Sequence, residues 1–272
     1  MSAALKRHPL ISFFVLAYAF SWWPWPLYAL ELSPPVSFGA GPFLAALVVL
    51  AIVRGRPGLR GLLSRMARWR VARRCYAVAL MLPVALTVAA ATLNVMLGAS
   101  APSSAELAGW TGLPLTFAAL LLIPGIGGAW EEPGFRGYAL PRLQSDRSAL
   151  VASLVLGALW AGWHLPLILA GRVHASDIVL LVGWAIVLTW VFNSTGGSVL
   201  IVMLMHAMNN TVSGNFFSRF FTGADSVTYS WLEAVLWWAV ALGVAVVAGS
   251  EHLSRSRRRQ VEPGGAAAAD AS

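Results

Sequence analysis

The sequence predicts an all-α fold, a polytopic bundle of transmembrane helices, and three observations carry that prediction. Of the 272 residues, 58% are hydrophobic and only 11% charged, whereas soluble domains carry about 25% charged residues. The apolar residues come in long runs separated by short polar or arginine-rich stretches, the pattern of helices that each need about 20 apolar residues to cross a bilayer. No stretch alternates apolar and polar residues over about 10 positions, as the strands of a membrane barrel do.

The runs number about eight: Leu10–Leu30, Gly41–Val53, Cys75–Leu97, Leu113 onward through an acidic motif, Ala149–Ala170, Ile178–Phe192, Ser198–Ser213 and Trp231–Ala248. The second, sixth and seventh are short. The first follows Lys6 and Arg7, but it is too long and too rich in Trp and Pro for a signal peptide, and no small-residue cleavage site follows. It is read as an uncleaved span. Residues 1–252 are expected to form one membrane-embedded domain with a motif-bearing core at 113–214. Residues 253–272 read as a basic, then disordered, cytoplasmic tail.

Arginine placement predicts the orientation. Arg54, Arg56, Arg60, Arg65, Arg68, Arg70, Arg73 and Arg74 crowd one connection, and Arg255, Arg257, Arg258 and Arg259 crowd the tail. An even number of spans puts these and Lys6 and Arg7 on one side, which the positive-inside rule makes cytoplasmic, with both termini. The net charge of +8 therefore reflects membrane orientation and headgroup contact rather than nucleic-acid binding, and membrane lipids are the expected surroundings of the 54–74 segment. Arginine far outnumbers lysine, which suggests a bacterial, GC-rich source and the bacterial cytoplasmic membrane as the location. The single cysteine, Cys75, allows no internal disulfide.

Charged and polar residues inside spans cost several kcal/mol and are functional candidates by default. Three groups stand out. In Glu131-Glu132-Pro133-Gly134-Phe135-Arg136, Glu132 and Arg136 are four apart and share a helix face, which leaves Glu131 for chemistry. His164 follows Trp160 by one turn. His206 and Asn210, again four apart, project from one face of the seventh span. Each group alone also fits a bland role, as loop charges or as helix–helix hydrogen bonds. Depth decides whether they meet. If the fourth helix runs through Pro133 and Gly134 to about Leu143, then at about 1.5 Å per residue Glu131 lies about 18 Å from the cytoplasmic end, His164 about 22 Å and His206 about 12 Å. All three then fall inside a hydrocarbon core about 30 Å thick. The Pro-Gly pair inside that helix loosens it next to a water-filled cavity formed by the fourth, fifth and seventh spans.

The sequences EEPGFRGYALPRLQ, WAGWH and HAMNN, in this order, resemble the CPBP family, which includes the CAAX proteases, the Abi proteins and bacteriocin-processing enzymes. The resemblance covers about Leu113 to Gly214. Trp160 stands where phenylalanine is usual, a conservative change, and Pro133 where an aliphatic residue is commoner. The resemblance implies intramembrane endopeptidase activity on a membrane-associated peptide or protein, lipidated or not. Glu131 with His164 would polarise the attacking water, His206 and Asn210 would stabilise the oxyanion, and Glu132 with Arg136 would hold the helix and tune the charge. No obligatory metal is expected, since HExxH, the compact zinc-protease motif, is absent. Zinc held by Glu131, His164 and His206 is the alternative within the family. Two further readings remain: a non-catalytic immunity or scaffold protein of the same fold, and a proton-coupled transporter.

Overall fold

The computed structural model describes residues 2–34 and 36–254, with side chains from residue 5. The expected basic and disordered tail therefore lies outside the described residues, apart from Leu253 and Ser254. Among the described residues the chain is helical and contains no strand. Five helical stretches are long and apolar enough to cross a membrane: Pro9–Ala29, Arg73–Met96, Ser104–Leu122, Ser176–Ser194 and Gly223–Ala248. Four of them correspond to the first, third, sixth and eighth expected spans, and Ser104–Leu122 overlaps only the start of the fourth. The protein is a multi-pass helical membrane bundle.

The main helices are α1 (Pro9–Trp22), α2 (Gly41–Val53), α3 (Gly55–Met66), α4 (Arg73–Met96), α5 (Leu113–Leu122), α6 (residues 128–143), α7 (Ala149–Trp163), α8 (Ser176–Ser194), α9 (Val199–Asn209) and α10 (Gly223–Ala248). The sixth expected span is longer than its apolar run suggested. The fifth is shorter, because α7 stops at His164 and a separate turn, Leu165–Leu169, begins with Pro166 near its start. That proline has no N–H to continue the helix.

Two-thirds of the most apolar window of α8, 67%, is buried, against 22% for α10 and none for the Ser104–Leu122 stretch, so α8 is the most buried of the five long helical stretches. It packs against α7 and α10. Small residues bring the backbones close, the usual device where lipid supplies no hydrophobic drive between helices. A Cβ at Gly157 of α7 would stand 2.9 Å from the Val182 Cα and 3.0 Å from the Ala185 Cβ. On the other side, α1 packs against α2, and α2 against α6.

One expectation needs correction. The fourth run is not one helix from Leu113 through the acidic motif. α5 ends at Leu122, Ile123 is extended (φ −98°, ψ 110°), and Gly125 and Gly127 take φ of 94° and 104°. Such positive φ values suit glycine alone, so Pro124-Gly125-Ile126-Gly127 forms a turn. The helix restarts at Gly128 and then does continue through Pro133 and Gly134 to Leu143. The indole N–H of Trp130 donates to the Leu121 carbonyl at 3.0 Å, capping one of the carbonyls that a helix end leaves unpaired. The α5 end of this broken segment packs beside residues 210–214, and the far end of α6 packs beside α3. The two pieces therefore run from one end of the bundle to the other.

Candidate active site

α6 is irregular where the motif lies. A tight 3-10 turn, Gly128–Glu131, feeds one α turn, Glu132–Gly134, then a π turn, Phe135–Ala139, and a final α turn, Leu140–Leu143. Pro133 and Pro141 lack the N–H that would bond the carbonyl four residues back. For Pro141 that carbonyl belongs to Gly137, and it accepts instead from Arg65 Nη1 of α3 at 2.8 Å. A second π turn, Asn210–Gly214, follows α9. His164 sits at the junction between α7 and Leu165–Leu169. Glu131, Glu132, Arg136, His164 and Asn210 thus sit at or beside helix interruptions, a recurrent property of functional sites, while His206 lies within regular α9.

The structure brings the three motifs together. Glu131, Glu132 and Arg136 are buried, Glu132 and Arg136 completely, and so is His206. Glu132 Oε1 accepts from Arg136 Nη1 at 3.1 Å and pairs with His206 Nδ1 at 2.6 Å. The intrahelical pair expected from the four-residue spacing is present, and the same carboxylate also reaches α9. Trp160 Nε1 donates to Glu131 Oε2 at 2.6 Å, and the Arg136 guanidinium lies 4.4 Å from the centre of the Trp160 ring. His164 Nδ1 lies 3.0 Å from the Trp160 carbonyl. A carbonyl only accepts, so Nδ1 donates there and Nε2 is left with its lone pair in the neutral ring.

His206 sits in an aromatic box. The rings of Trp184 and Trp160 lie edge-on at 4.7 and 5.6 Å from it, and the two tryptophans stack at 5.2 Å. Its Nε2 points at the start of α6, where a Cβ on Gly128 would come within 1.9 Å of it. Only glycine admits the ring there. Asn210 is half-buried at the opening of the π turn after α9, and its carbonyl accepts from Asn215 Nδ2 at 2.7 Å.

Some polar capacity is left over. Glu132 Oε2, Arg136 Nε and Nη2 and Asn209 Oδ1 are buried with no hydrogen-bond partner among the described residues. Each such atom costs about 1–3 kcal/mol. The two cavities described, of about 370 and 230 Å³, are lined by neither glutamate nor by His164 or His206. Among the described residues no three His, Cys, Asp or Glu side chains are grouped to hold a metal ion.

Three features escaped the sequence reading. Trp160 is a direct partner of Glu131, so tryptophan in place of phenylalanine is not a neutral exchange, because phenylalanine has no N–H to offer. Trp184, from α8, walls the site. Glu233 is a buried carboxylate in α10 that accepts from Ser213 Oγ at 2.7 Å and Thr87 Oγ1 at 3.3 Å. It anchors the π turn that begins at Asn210. An acid within an apolar run was the available signal for Glu233.

The fold and this centre define a class: a helical membrane protein with a closed Glu/Arg/His core built from three separated motifs. Residues 110–212 match the family described as Type II CAAX prenyl endopeptidase Rce1-like. A curated protein of the archaeon Methanococcus maripaludis, named CAAX prenyl protease 2, is 24% identical over 182 residues, covering 62% of this chain and 67% of that relative. Over residues 110–212 the chain is thus similar to CAAX-type prenyl endopeptidases, which are hydrolases.

Proposed function

We propose that this protein is an intramembrane endopeptidase that uses Glu131 and His164 to activate water against a peptide bond of a membrane-associated substrate. One observation carries the reading. Side chains about 30 and 70 residues apart in sequence (Glu131 with Trp160, Glu132 with His206) are hydrogen-bonded in one buried centre. Charges of this kind are retained inside a membrane protein for function.

In this reading, Glu131 takes a proton from water through its free oxygen while Trp160 fixes the other, and His164 Nε2 orients the same water. The water oxygen bonds to the peptide carbonyl carbon. The oxyanion that forms is held by the Asn210 amide and by His206, whose Nε2 donates when the ring is protonated, and preorganised donors of this kind are often the largest catalytic term. The proton then passes from Glu131 to the leaving nitrogen and the C–N bond breaks. Glu132 and Arg136 position the helix and His206. The unpaired Glu132 and Arg136 atoms support a polar ligand docking beside them. The proposal takes residues 1–252 as one membrane domain, with the arginine-rich side and both termini in the cytoplasm of a bacterium. Bacteria generally lack protein prenylation, so the proposed substrate is a leader or precursor peptide rather than a prenylated one.

The test is cleavage of a peptide library, with farnesylated and unmodified members, by purified protein in detergent. Glu131→Ala and His164→Ala are each expected to lower turnover by at least about a hundredfold, the usual scale for a general base, without loss of fold. Unchanged cleavage in both variants would sink the assignment. Zinc analysis of the same preparation, with chelator treatment, tests the metal alternative, and activity retained at negligible zinc is the expected outcome.

A further inference from the structure

The larger cavity lies behind the candidate active site, between α2, α3 and the end of α6, with a volume of about 370 Å³. Its wall includes Leu50, Arg54, Gly61, Leu62, Arg65 and Arg142. Three guanidiniums share this space, and no carboxylate lines it. Among the described residues, the ion pairs are Arg136–Glu132, Arg147–Asp146 and His206–Glu132, and none reaches Arg54, Arg65 or Arg142. Burial, then the neighbouring Arg68 and Arg54, pushes the Arg65 guanidinium down from its usual range.

Two of the three are held from behind. Arg65 Nη1 donates to the Gly137 carbonyl and Arg142 Nη1 to the Tyr138 carbonyl, each at 2.8 Å, and the Arg142 guanidinium lies 3.6 Å from the centre of the Tyr138 ring. These contacts fix the forks while leaving further N–H groups for another acceptor. A fixed arginine fork matches the oxygens of a phosphate. The surroundings point to a lipid source. α3 carries an exposed Leu63, and Trp69 follows it, also exposed, with Arg70 5.1 Å from its ring centre. Exposed leucine and tryptophan interleaved with arginine is the pattern of a segment lying in the membrane interface, and basic pockets at that level bind anionic headgroups.

We infer that this cavity binds the phosphate of an anionic phospholipid headgroup, clamped by Arg54, Arg65 and Arg142 against the cytoplasmic end of α6. The inference rests on the membrane placement proposed above and not on the peptidase chemistry. Its test reads binding, so it can fail while cleavage stands.

The experiment follows the unfolding temperature of the purified full-length chain in neutral detergent during titration with dioctanoyl-phosphatidylglycerol, dioctanoyl-phosphatidylcholine or inorganic phosphate. Only phosphatidylglycerol is expected to raise the midpoint saturably, as a ligand of the native state does. Arg54→Gln removes one clamp. Gly61→Leu fills the cavity, since a Cβ at Gly61 meets no atom within 4 Å, and leucine favours the helix over glycine. Each is expected to weaken the apparent affinity by roughly tenfold or more, the scale of one lost charge-assisted contact. A wild-type response to phosphatidylglycerol in both variants overturns the site. An equal response to phosphatidylcholine, or one reproduced by inorganic phosphate alone, overturns the anionic-lipid assignment.

Discussion

Trp160 does three jobs with one residue. Its N–H holds Glu131, its face receives Arg136, and its backbone carbonyl fixes the tautomer of His164. Trp160→Phe keeps an aromatic ring but removes the donor to a buried carboxylate. Hydrogen bonds to charged groups contribute about 1.5–3 kcal/mol, so the variant is expected to lose that much stability in a mixed-micelle unfolding titration. Wild-type stability would show that the bond contributes nothing. Glu131, Glu132, Arg136 and His206 were legible in the sequence because a charge or an imidazole in an apolar run is conspicuous on cost alone. Trp160 was legible as the aromatic one turn before His164, but its bond to Glu131 was not, because it joins residues 29 apart on different helices. Glu233 satisfies the same cost criterion and was legible in principle.

The length of the apolar runs gave most of the elements, and the i, i+4 pair of Glu132 and Arg136 followed from spacing alone. The interruption between α5 and α6 was missed, although Pro124-Gly125 and Gly127-Gly128 are strong breaker signals. The unbroken apolar run around them, read as one span, outweighed the punctuation. The π turns were not legible, because they depend on which tertiary donor captures a freed carbonyl, as Arg65 captures that of Gly137. Packing between elements rests on equally local facts. Gly157→Val would drive a branched side chain into the α8 backbone, because the new Cβ would already stand 2.9 Å from the Val182 Cα. Overpacking of this sort costs about 1–3 kcal/mol. The expected result is a lower unfolding midpoint with intact helical circular dichroism, and an unchanged midpoint would mean that α7 and α8 slide apart freely.

At the scale of the whole molecule, Arg68 in the loop after α3 bonds the connection that leads into α9. Arg68 Nη1 donates to the Gly196 carbonyl at 2.7 Å, and Ser198 Oγ, the cap of α9, donates to the Arg68 carbonyl at 2.6 Å. The basic segment and the α8–α9 connection therefore share one end of the bundle. Single cysteines in a Cys75→Ser background test the orientation. Arg56→Cys is expected to react with a membrane-impermeant maleimide only in inverted vesicles, and Arg172→Cys only in right-side-out vesicles. The reverse pattern would place the arginine-rich end outside the cell.

The broken segment ahead of the acidic motif also bears on biogenesis. The Ser104–Leu122 stretch that ends in α5 is long and apolar enough to cross a membrane. α6 is not, because Glu131, Glu132 and Arg136 each cost several kcal/mol in solitary insertion, and the Glu132–Arg136 pair offsets only part of that sum. The partner that satisfies Glu132 from outside its own helix, His206, emerges from the ribosome roughly 70 residues later, at a synthesis rate of about 5–20 residues per second. The turn at Gly125 and Gly127 separates the two halves, so the Ser104–Leu122 stretch is expected to embed before α6, which gains His206 only once α9 has emerged.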